Sequence, residues 1–326
     1  SSSHQALMEC IMANLNVCVI GCGSRGRGHM QILSEFDDTR LVAVCDPAED
    51  ARNNAGKLFN IPNRYDNIEE LLDNETLDAA FVATPAHLNG EAALPCLERG
   101  INTLLEKPPG MNVKETINLR DVAKKTGAKG MVGWNRRFHP IIVQASQMVK
   151  ARGYITQLVG EFHKSITRLA QSGRFPEILM DNMFLETPIH ALDTLCAIAE
   201  SDVTEVYSFV KRTISDFKDI HAAMILFENG CVAQLIANYT TDARLERYEI
   251  HGKNISAYLE GVSHGTVFCD GTQHKLTEPG SGGTVEQNRY FLDRIKTNSP
   301  ISLPAANLDE AVKTMQIADN ILGGIK

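Results

Sequence analysis

The chain has 326 residues, enough for two domains that each bury a core, and 43 % of them are hydrophobic. A formal net charge of −8, with no long basic tract, argues against a nucleic-acid-binding surface. No apolar run reaches the ~20 residues of a membrane span, and the start lacks the basic-then-apolar pattern of a secretory signal. The eight cysteines are scattered without a CxxC pair, so reduced core thiols are expected, with no disulfide frame and no metal site. These features predict a cytoplasmic chain without membrane partners.

In chain order, residues 1–12 read as a disordered tail. Over 13–134, the short strands "NVCVI", "LVAVCD", "DAAFVAT", "NTLLE" and "KGMVGW" alternate with helical patterns. The helices are predicted at Arg25–Phe36, Ala48–Phe59, Ile68–Asp73, Leu88–Arg99 and Val113–Thr126, with Pro95 inside the fourth and Gly127 capping the fifth. Such alternation predicts a parallel sheet covered on both faces. The rhythm changes over 135–326. A helix at Ile141–Ala151 leads to strands at Gln157–Lys164, Glu205–Val210, Ile220–Phe227, Val232–Tyr239 and Arg247–His251. Asn229-Gly230 joins the third and fourth as a hairpin, and helices near Val285–Lys296 and Ala311–Leu322 finish the chain. The expected fold is an α/β domain followed by an α+β domain with a large, mostly antiparallel open sheet.

"VCVIGCGSRGRGH" sets Gly21, Gly23 and Gly26 in GxGxxG spacing between a strand and a helix. The first glycine permits the turn, the second lets the backbone approach a pyrophosphate, and the third lets helix meet strand. Free N–H groups at the helix start, near Ser24 and Arg25, suit the phosphates. Asp46, twenty residues beyond Gly26 at the end of the second strand, is placed to accept the adenosine ribose hydroxyls. This is the pattern of a Rossmann dinucleotide-binding domain. A carboxylate there would repel a 2′-phosphate, which favours NAD, while Arg25 keeps NADP open by offering that phosphate a guanidinium.

Strand ends of a parallel sheet line the ligand crevice. Thr84, Pro85 and His87 follow one strand, Glu106, Lys107 and Pro108 the next, and Asn135, Arg136 and Arg137 follow "MVGW". All three segments are expected at the nicotinamide end. The segments "VIGCGSRGRGH", "VCD", "LDAAFVATPAHLN", "LLEKPPG" and "GWNRRFHP" resemble, in order and spacing, the glucose–fructose oxidoreductase / inositol dehydrogenase / MocA (Gfo/Idh/MocA) family. The resemblance implies a lysine close to nicotinamide and substrate, matched by Lys107, and a cis peptide bond before its proline, for which Lys107–Pro108 is the candidate. It also implies association of copies through the open face of the antiparallel sheet, as a homodimer or homotetramer.

In "FLETPIHALDTL", Thr187 is a predicted N-cap, Pro188 takes the first helical position, and His190 falls in the first turn. The helix dipole opposes protonation there, so the ring is suited to accept a proton. Asp193, three residues on, lies on the same side and is expected to orient the ring or bind substrate. The family pattern places an acid four residues before the histidine. Glu186 stands there, where aspartate is common, and "ILMDNM" replaces the glycine-rich turn of many members.

Taken singly, a histidine near a helix start is a cap or core residue, and a lysine after a strand is a solvated turn residue. Their convergence on one crevice is what points to chemistry. The resemblance and the residues together predict an NAD(P)-dependent dehydrogenase of a sugar, polyol or inositol. Lys107, His190 and Glu186 form the expected catalytic set, and Lys107, Arg136, Lys164, Glu186, His190 and Asp193 the expected substrate contacts. Lys164, Arg168 and Arg174 stand also as candidate receivers of an acidic or phosphorylated substituent, with a solvated surface as the simpler reading. Two other functions fit the same fold: an NAD-dependent glycosidase or lyase using transient oxidation, and a non-catalytic sugar sensor.

Overall fold

The computed structural model describes residues 14–277 and 282–325; the predicted tail lies outside the described residues. The chain forms two compact units: one runs up to Gly133 and includes Thr284–Val312, and the other comprises Trp134–Gly283 and the chain from Lys313 onward. This differs from a single cut after residue 134.

The first unit contains β1 (Leu15–Ile20), α1 (Ser24–Ser34), β2 (Thr39–Cys45), α2 (Glu49–Leu58), β3 (Asn63–Tyr65), α3 (Ile68–Asn74) and β4 (Ala79–Val82). It continues with α4 (Asn89–Glu98), β5 (Asn102–Leu105), α5 (Val113–Thr126) and β6 (Gly130–Val132). β4 and β6 are fully buried runs of apolar residues and glycine, and β5 buries Thr103, Leu104 and Leu105, as a parallel sheet sandwiched by helices requires. Asn112 caps α5 by accepting the Glu115 N–H, and Gly127 ends it at φ +77°.

The second unit contains α6 (Pro140–Lys150), β7 (Gln157–Ser165), α7 (Ile166–Ser172), α8 (Glu177–Met180), α9 (Met183–Glu186) and α10 (Ile189–Ala199). β8 (Val203–Lys211), β9 (Ile220–Phe227), β10 (Val232–Asn238), β11 (Thr240–Gly252), β12 (Ile255–Glu260), β13 (His264–Cys269) and β14 (Thr272–Thr277) follow. The chain then returns through α11 (Thr284–Lys296) and β15 (Ala306–Asn307) to α12 (Leu308–Leu322).

The first sheet has the order β15-β6-β5-β4-β1-β2-β3. β1 to β6 pair in parallel, and β15 adds an antiparallel edge on β6. Neither β3 nor β15 was anticipated, because two or three partly polar residues carry no periodic signal. α11 belongs to this unit: its Phe291 ring meets Phe81 edge-on at 5.7 Å.

The second sheet has the order β14-β13-β12-β11-β7-β10-β9-β8, antiparallel except for the β7–β10 pair. Leu158, Phe162, Leu235, Tyr248 and Ile250 are buried on its helix-covered face. Gly160 brings α10 close, since a Cβ there would lie 3.1 Å from Leu195 Cδ1. The predicted hairpin is present, with Gly230 at φ +88° in the turn between β9 and β10. β12 to β14 extend the sheet beyond the five strands predicted, and β11 begins seven residues earlier than expected.

Candidate functional site

The glycine turn has the shape a dinucleotide needs. Gly21 adopts φ +99°, and a Cβ there would sit 2.2 Å from the Ala83 carbonyl oxygen. A Cβ on Gly26 would meet the Gly21 carbonyl oxygen at 1.8 Å, so helix and strand touch through backbone. A Cβ on Gly23 would meet nothing within 4 Å, which leaves open space at the position where a pyrophosphate approaches. α1 then starts at Ser24 without a side-chain cap, leaving first-turn N–H groups for an anion. These residues fit a nicotinamide dinucleotide.

Asp46 stands at the end of β2 beside this turn. Its Oδ2 accepts the Cys22 N–H at 2.7 Å and its Oδ1 the Ala48 N–H at 2.8 Å. Each oxygen keeps a further lone-pair direction for a ribose hydroxyl. Arg25, the guanidinium expected near that ribose, bonds elsewhere. Its Nε donates to Glu106 Oε1 at 2.6 Å, at the exit of β5, three strands across the sheet from β2. The guanidinium nearest Asp46 is Arg52, whose Nη1 donates to the Asp46 carbonyl at 2.7 Å. α2 begins at Glu49, so Arg52 lies in its first turn, where helix geometry returns it toward the strand end.

The exits of β4 and β5 are tied together. Thr84 donates its N–H and its hydroxyl to Asn89 Oδ1 at 3.1 and 2.9 Å, and Asn89 Nδ2 donates to the Lys107 carbonyl at 3.1 Å. Asn89 was not singled out from sequence, although the run "TPAHLN" holds it. His87 lies in a 3-10 turn (Ala86–Leu88), its buried Nδ1 without a hydrogen-bond partner among the described residues, as suits a ring facing a polar ligand. Pro85 precedes it and is exposed. The Lys107–Pro108 bond is cis.

Glu106 is 4 % exposed and holds two cationic or polar partners from α1: Arg25, and His29 with Nε2 at 2.8 Å. Asn288 Nδ2 of α11 lies 2.9 Å from His29 Nδ1; the amide donates, so Nε2 carries the proton given to Glu106. Burial alone would raise the Glu106 carboxyl, but the Arg25 charge and the His29 hydrogen bond outweigh it and bring it down to about 2. Glu106 is therefore an anchored carboxylate beside Lys107.

In the second unit, Asn135 opens a 3-10 turn (Asn135–Phe138), and its Nδ2 donates to the Gly282 carbonyl at 2.7 Å. Arg136 donates to both oxygens of Glu246 at 2.9 Å, and Tyr248 and Arg244 donate to the same carboxylate. Arg137 makes a buried two-bond pair with Asp193, 2.8 Å each, and Thr314 donates to Asp193 Oδ1 at 3.1 Å. Asp193 is 0 % exposed. Through these bonds the carboxylate fastens α10 to the segment after residue 134.

Thr187 is also not the N-cap expected of it. α10 begins at Ile189 after Pro188, without a side-chain cap. The Thr187 hydroxyl instead accepts from Lys164 Nζ at 2.8 Å and donates to Glu186 Oε2. Lys164 Nζ also lies 3.5 Å from Glu186 Oε2. His190, 6 % exposed, is the second residue of α10, and its N–H bonds the Thr187 carbonyl. Arg168 pairs with Asp242 at 2.7 Å on the surface, and Arg174 lies over the Phe175 ring. Lys107 belongs to the first unit, and His190, Glu186 and Lys164 to the second.

Residues 15–134 match the oxidoreductase family with an NAD-binding Rossmann fold, Gfo/Idh/MocA, and residues 143–258 match a Gfo/Idh/MocA C-terminal domain. An uncharacterised oxidoreductase, YrbE, of Bacillus subtilis is 26 % identical over 85 % of this chain and 81 % of its own. A scyllo-inositol 2-dehydrogenase (NAD+) of the same organism is 24 % identical over 79 % of this chain and 74 % of its own. Among solved structures, a levoglucosan dehydrogenase in complex with NADH and L-sorbose superposes with a TM-score of 0.86 at 19 % identity, covering 96 % of this chain and 97 % of the other. A myo-inositol 2-dehydrogenase of Lactobacillus plantarum superposes at 0.80 and 19 % identity, covering 95 % and 97 %. A glycine turn built for a dinucleotide, a lysine at the sheet's carboxyl edge and matches to both halves of the chain agree: it belongs to the Gfo/Idh/MocA oxidoreductase family.

Proposed function

We propose that the protein moves a hydride between a secondary alcohol of a sugar, polyol or inositol and a nicotinamide dinucleotide, NAD in preference to NADP. One observation carries this reading. Arg25 of the glycine turn bonds Glu106, so Lys107 follows directly on a residue anchored to the dinucleotide loop. The nicotinamide ring, when bound, supplies the hydride acceptor or donor.

The chain's own residues do the rest. Lys107 donates a hydrogen bond to the alcohol oxygen and stabilises its developing negative charge. His190 takes the hydroxyl proton as general base. Glu186 and Lys164 hold neighbouring hydroxyls, and Arg136 is held by Glu246 beside them. Asp193 acts as a positioning residue through Arg137. Thr84, Pro85 and His87 line the nicotinamide side, with Asn135 supporting the chain that enters the second unit.

Lys107→Ala and His190→Ala are each expected to lower kcat by about 100-fold or more while cofactor affinity stays within about twofold. The measurement is NADH formation across sugars, polyols and inositols, beside cofactor titration. Glycoside cleavage without net NADH, or sugar binding without turnover, would overturn the reading. Asp46→Ser is expected to narrow the preference for NAD over NADP by about tenfold or more, since Arg52 then faces a 2′-phosphate without an opposing carboxylate. The outward sheet face, with Tyr207 and Phe209 each 58 % exposed and Ile236 42 %, supports association between copies as a homodimer or homotetramer.

A further inference from the structure

We propose that His29, set by Asn288, and Asn89 are positioning residues for Lys107: the first acts through the Glu106 carboxylate, the second through the lysine's own backbone carbonyl. The inference rests on the reading of Lys107 as the group that donates to the alcohol oxygen. All of these residues lie in the first unit.

A lysine reaches its target on a flexible four-carbon stem, so its amine is only as well placed as the backbone that carries it. A misplacement of about 1 Å costs on the order of 100-fold in rate. Asn89, the first residue of α4, is buried and fixes that backbone. Its Nδ2 donates to the Lys107 carbonyl at 3.1 Å, and its Oδ1 takes both the N–H and the hydroxyl of Thr84. The amide cannot turn without breaking all of these bonds. One side chain therefore locks the exits of β4 and β5 to each other.

One residue earlier, Glu106 is held through backbone and side chain. Its N–H bonds the Val82 carbonyl at 2.8 Å, and its Oε1 accepts from both Arg25 and His29. These donors stand four residues apart on α1, hence on one helix face. A Cβ on Gly133 would lie 3.1 Å from Oε1, so the carboxylate packs on bare backbone where β6 ends. His29 is the part of this clamp that solvent cannot replace, being 0 % exposed where the Arg25 side chain is 41 % exposed. Asn288, also buried, orients the ring. Its Oδ1 accepts from Gln287 at 3.4 Å, which leaves Nδ2 to donate to His29 Nδ1 at 2.9 Å, so Nε2 meets Glu106 with its proton. The Phe81 ring packs tilted against the imidazole at 5.6 Å and is itself met edge-on by Phe291. A buried hydrogen-bonded chain holds its members rigidly, and this one ends at the neighbour of Lys107.

The test reads Lys107 directly, as its rate of acetylation by acetic anhydride in the full-length protein saturated with NAD, followed by peptide mass spectrometry. His29→Leu and Asn89→Ala are each expected to speed labelling of Lys107 about threefold or more, because the amine leaves its fixed place and its carboxylate neighbour. The other lysines should keep the parent rate. His29→Gln, whose amide sets an N–H near the place of Nε2, should restore it. Turnover is read as NADH formation with D-glucose, D-mannitol and myo-inositol. Both variants should lower kcat about tenfold while KM and NAD affinity stay within about twofold. Neither should lower kcat further in Lys107→Ala, since both act through the lysine. Should His29→Leu fail to fold, Asn288→Leu, which keeps the imidazole, takes its place. Parent labelling rates in both variants, no rescue by glutamine, or an equal loss of kcat with and without Lys107 would overturn the positioning role. Faster labelling with no turnover, or with undiminished kcat in Lys107→Ala, would sink the hydride-transfer reading and leave the placement of the lysine standing.

Discussion

Glu106 shows how one buried charge organises the first unit. Its carboxyl is held at about 2 against an ordinary 4.5, because Arg25 and His29 outweigh its burial. A depressed acid contributes stability above its unfolded pKa and loses it as pH falls through the folded value. The contribution is roughly 3 kcal/mol near neutrality, and it fades between about pH 4.5 and 2. Denaturant unfolding of Glu106→Gln should therefore show a stability deficit at pH 7 that shrinks as the pH drops toward 2. A constant deficit would show that shape, not charge, is what matters. Asp38, lowered to about 2 against its own burial by Arg289 and Lys296, titrates in the same window and must stay intact in both proteins. Asp46 and Lys107 were legible in the sequence because residue type and strand-end position coincide. The anchors of Glu106 were not: His29 looks like any helical residue, and Asn288 lies 259 positions from it. The second role of Arg25 was hidden for the same reason.

At the scale of elements, the glycine turn separates fold from function. Gly26→Ala drives a methyl into the Gly21 carbonyl, and Gly21→Ala adds a positive φ to a clash with Ala83. Each is expected to cost roughly 1–3 kcal/mol and to lower the melting temperature. Gly23, at φ −70° with open space above it, tolerates Ala in the free protein. Gly23→Ala should leave melting within about 0.5 kcal/mol of the parent while weakening dinucleotide binding about tenfold or more. If instead it melts early and binds normally, the open space is not a cofactor site. Long periodic elements such as α5 and the β9–β10 hairpin were legible from caps and turn residues. β12 alternates Ile255, Ala257 and Leu259 and was readable too, whereas β14 shows one buried position among six. That edge strand exists because β13 offers it a hydrogen-bonding partner, a tertiary cause that no local pattern carries.

For the whole molecule, the sequence suggests two consecutive domains, but the chain leaves the first unit at Gly133 and re-enters it at Thr284. The returning segment buries Phe291, Leu292, Ile301 and Leu308. At about 1.5–3 kcal/mol for each large side chain, their loss approaches the whole stability of a domain, commonly 5–15 kcal/mol. A fragment of residues 14–133 should thus lack a cooperative unfolding transition, and one carrying 284–312 on a flexible linker should regain it, by circular dichroism and denaturant titration. A cooperative transition in the short fragment would refute this. Trp134–Gly283 is, topologically, an insertion between β6 and α11 of a nucleotide-binding unit. The insertion carries Lys164, Glu186 and His190, whereas Glu106 and the glycine turn lie outside it. Residues 134–283 could thus be exchanged or reshaped as one continuous segment while both cut ends stay anchored in the nucleotide-binding unit.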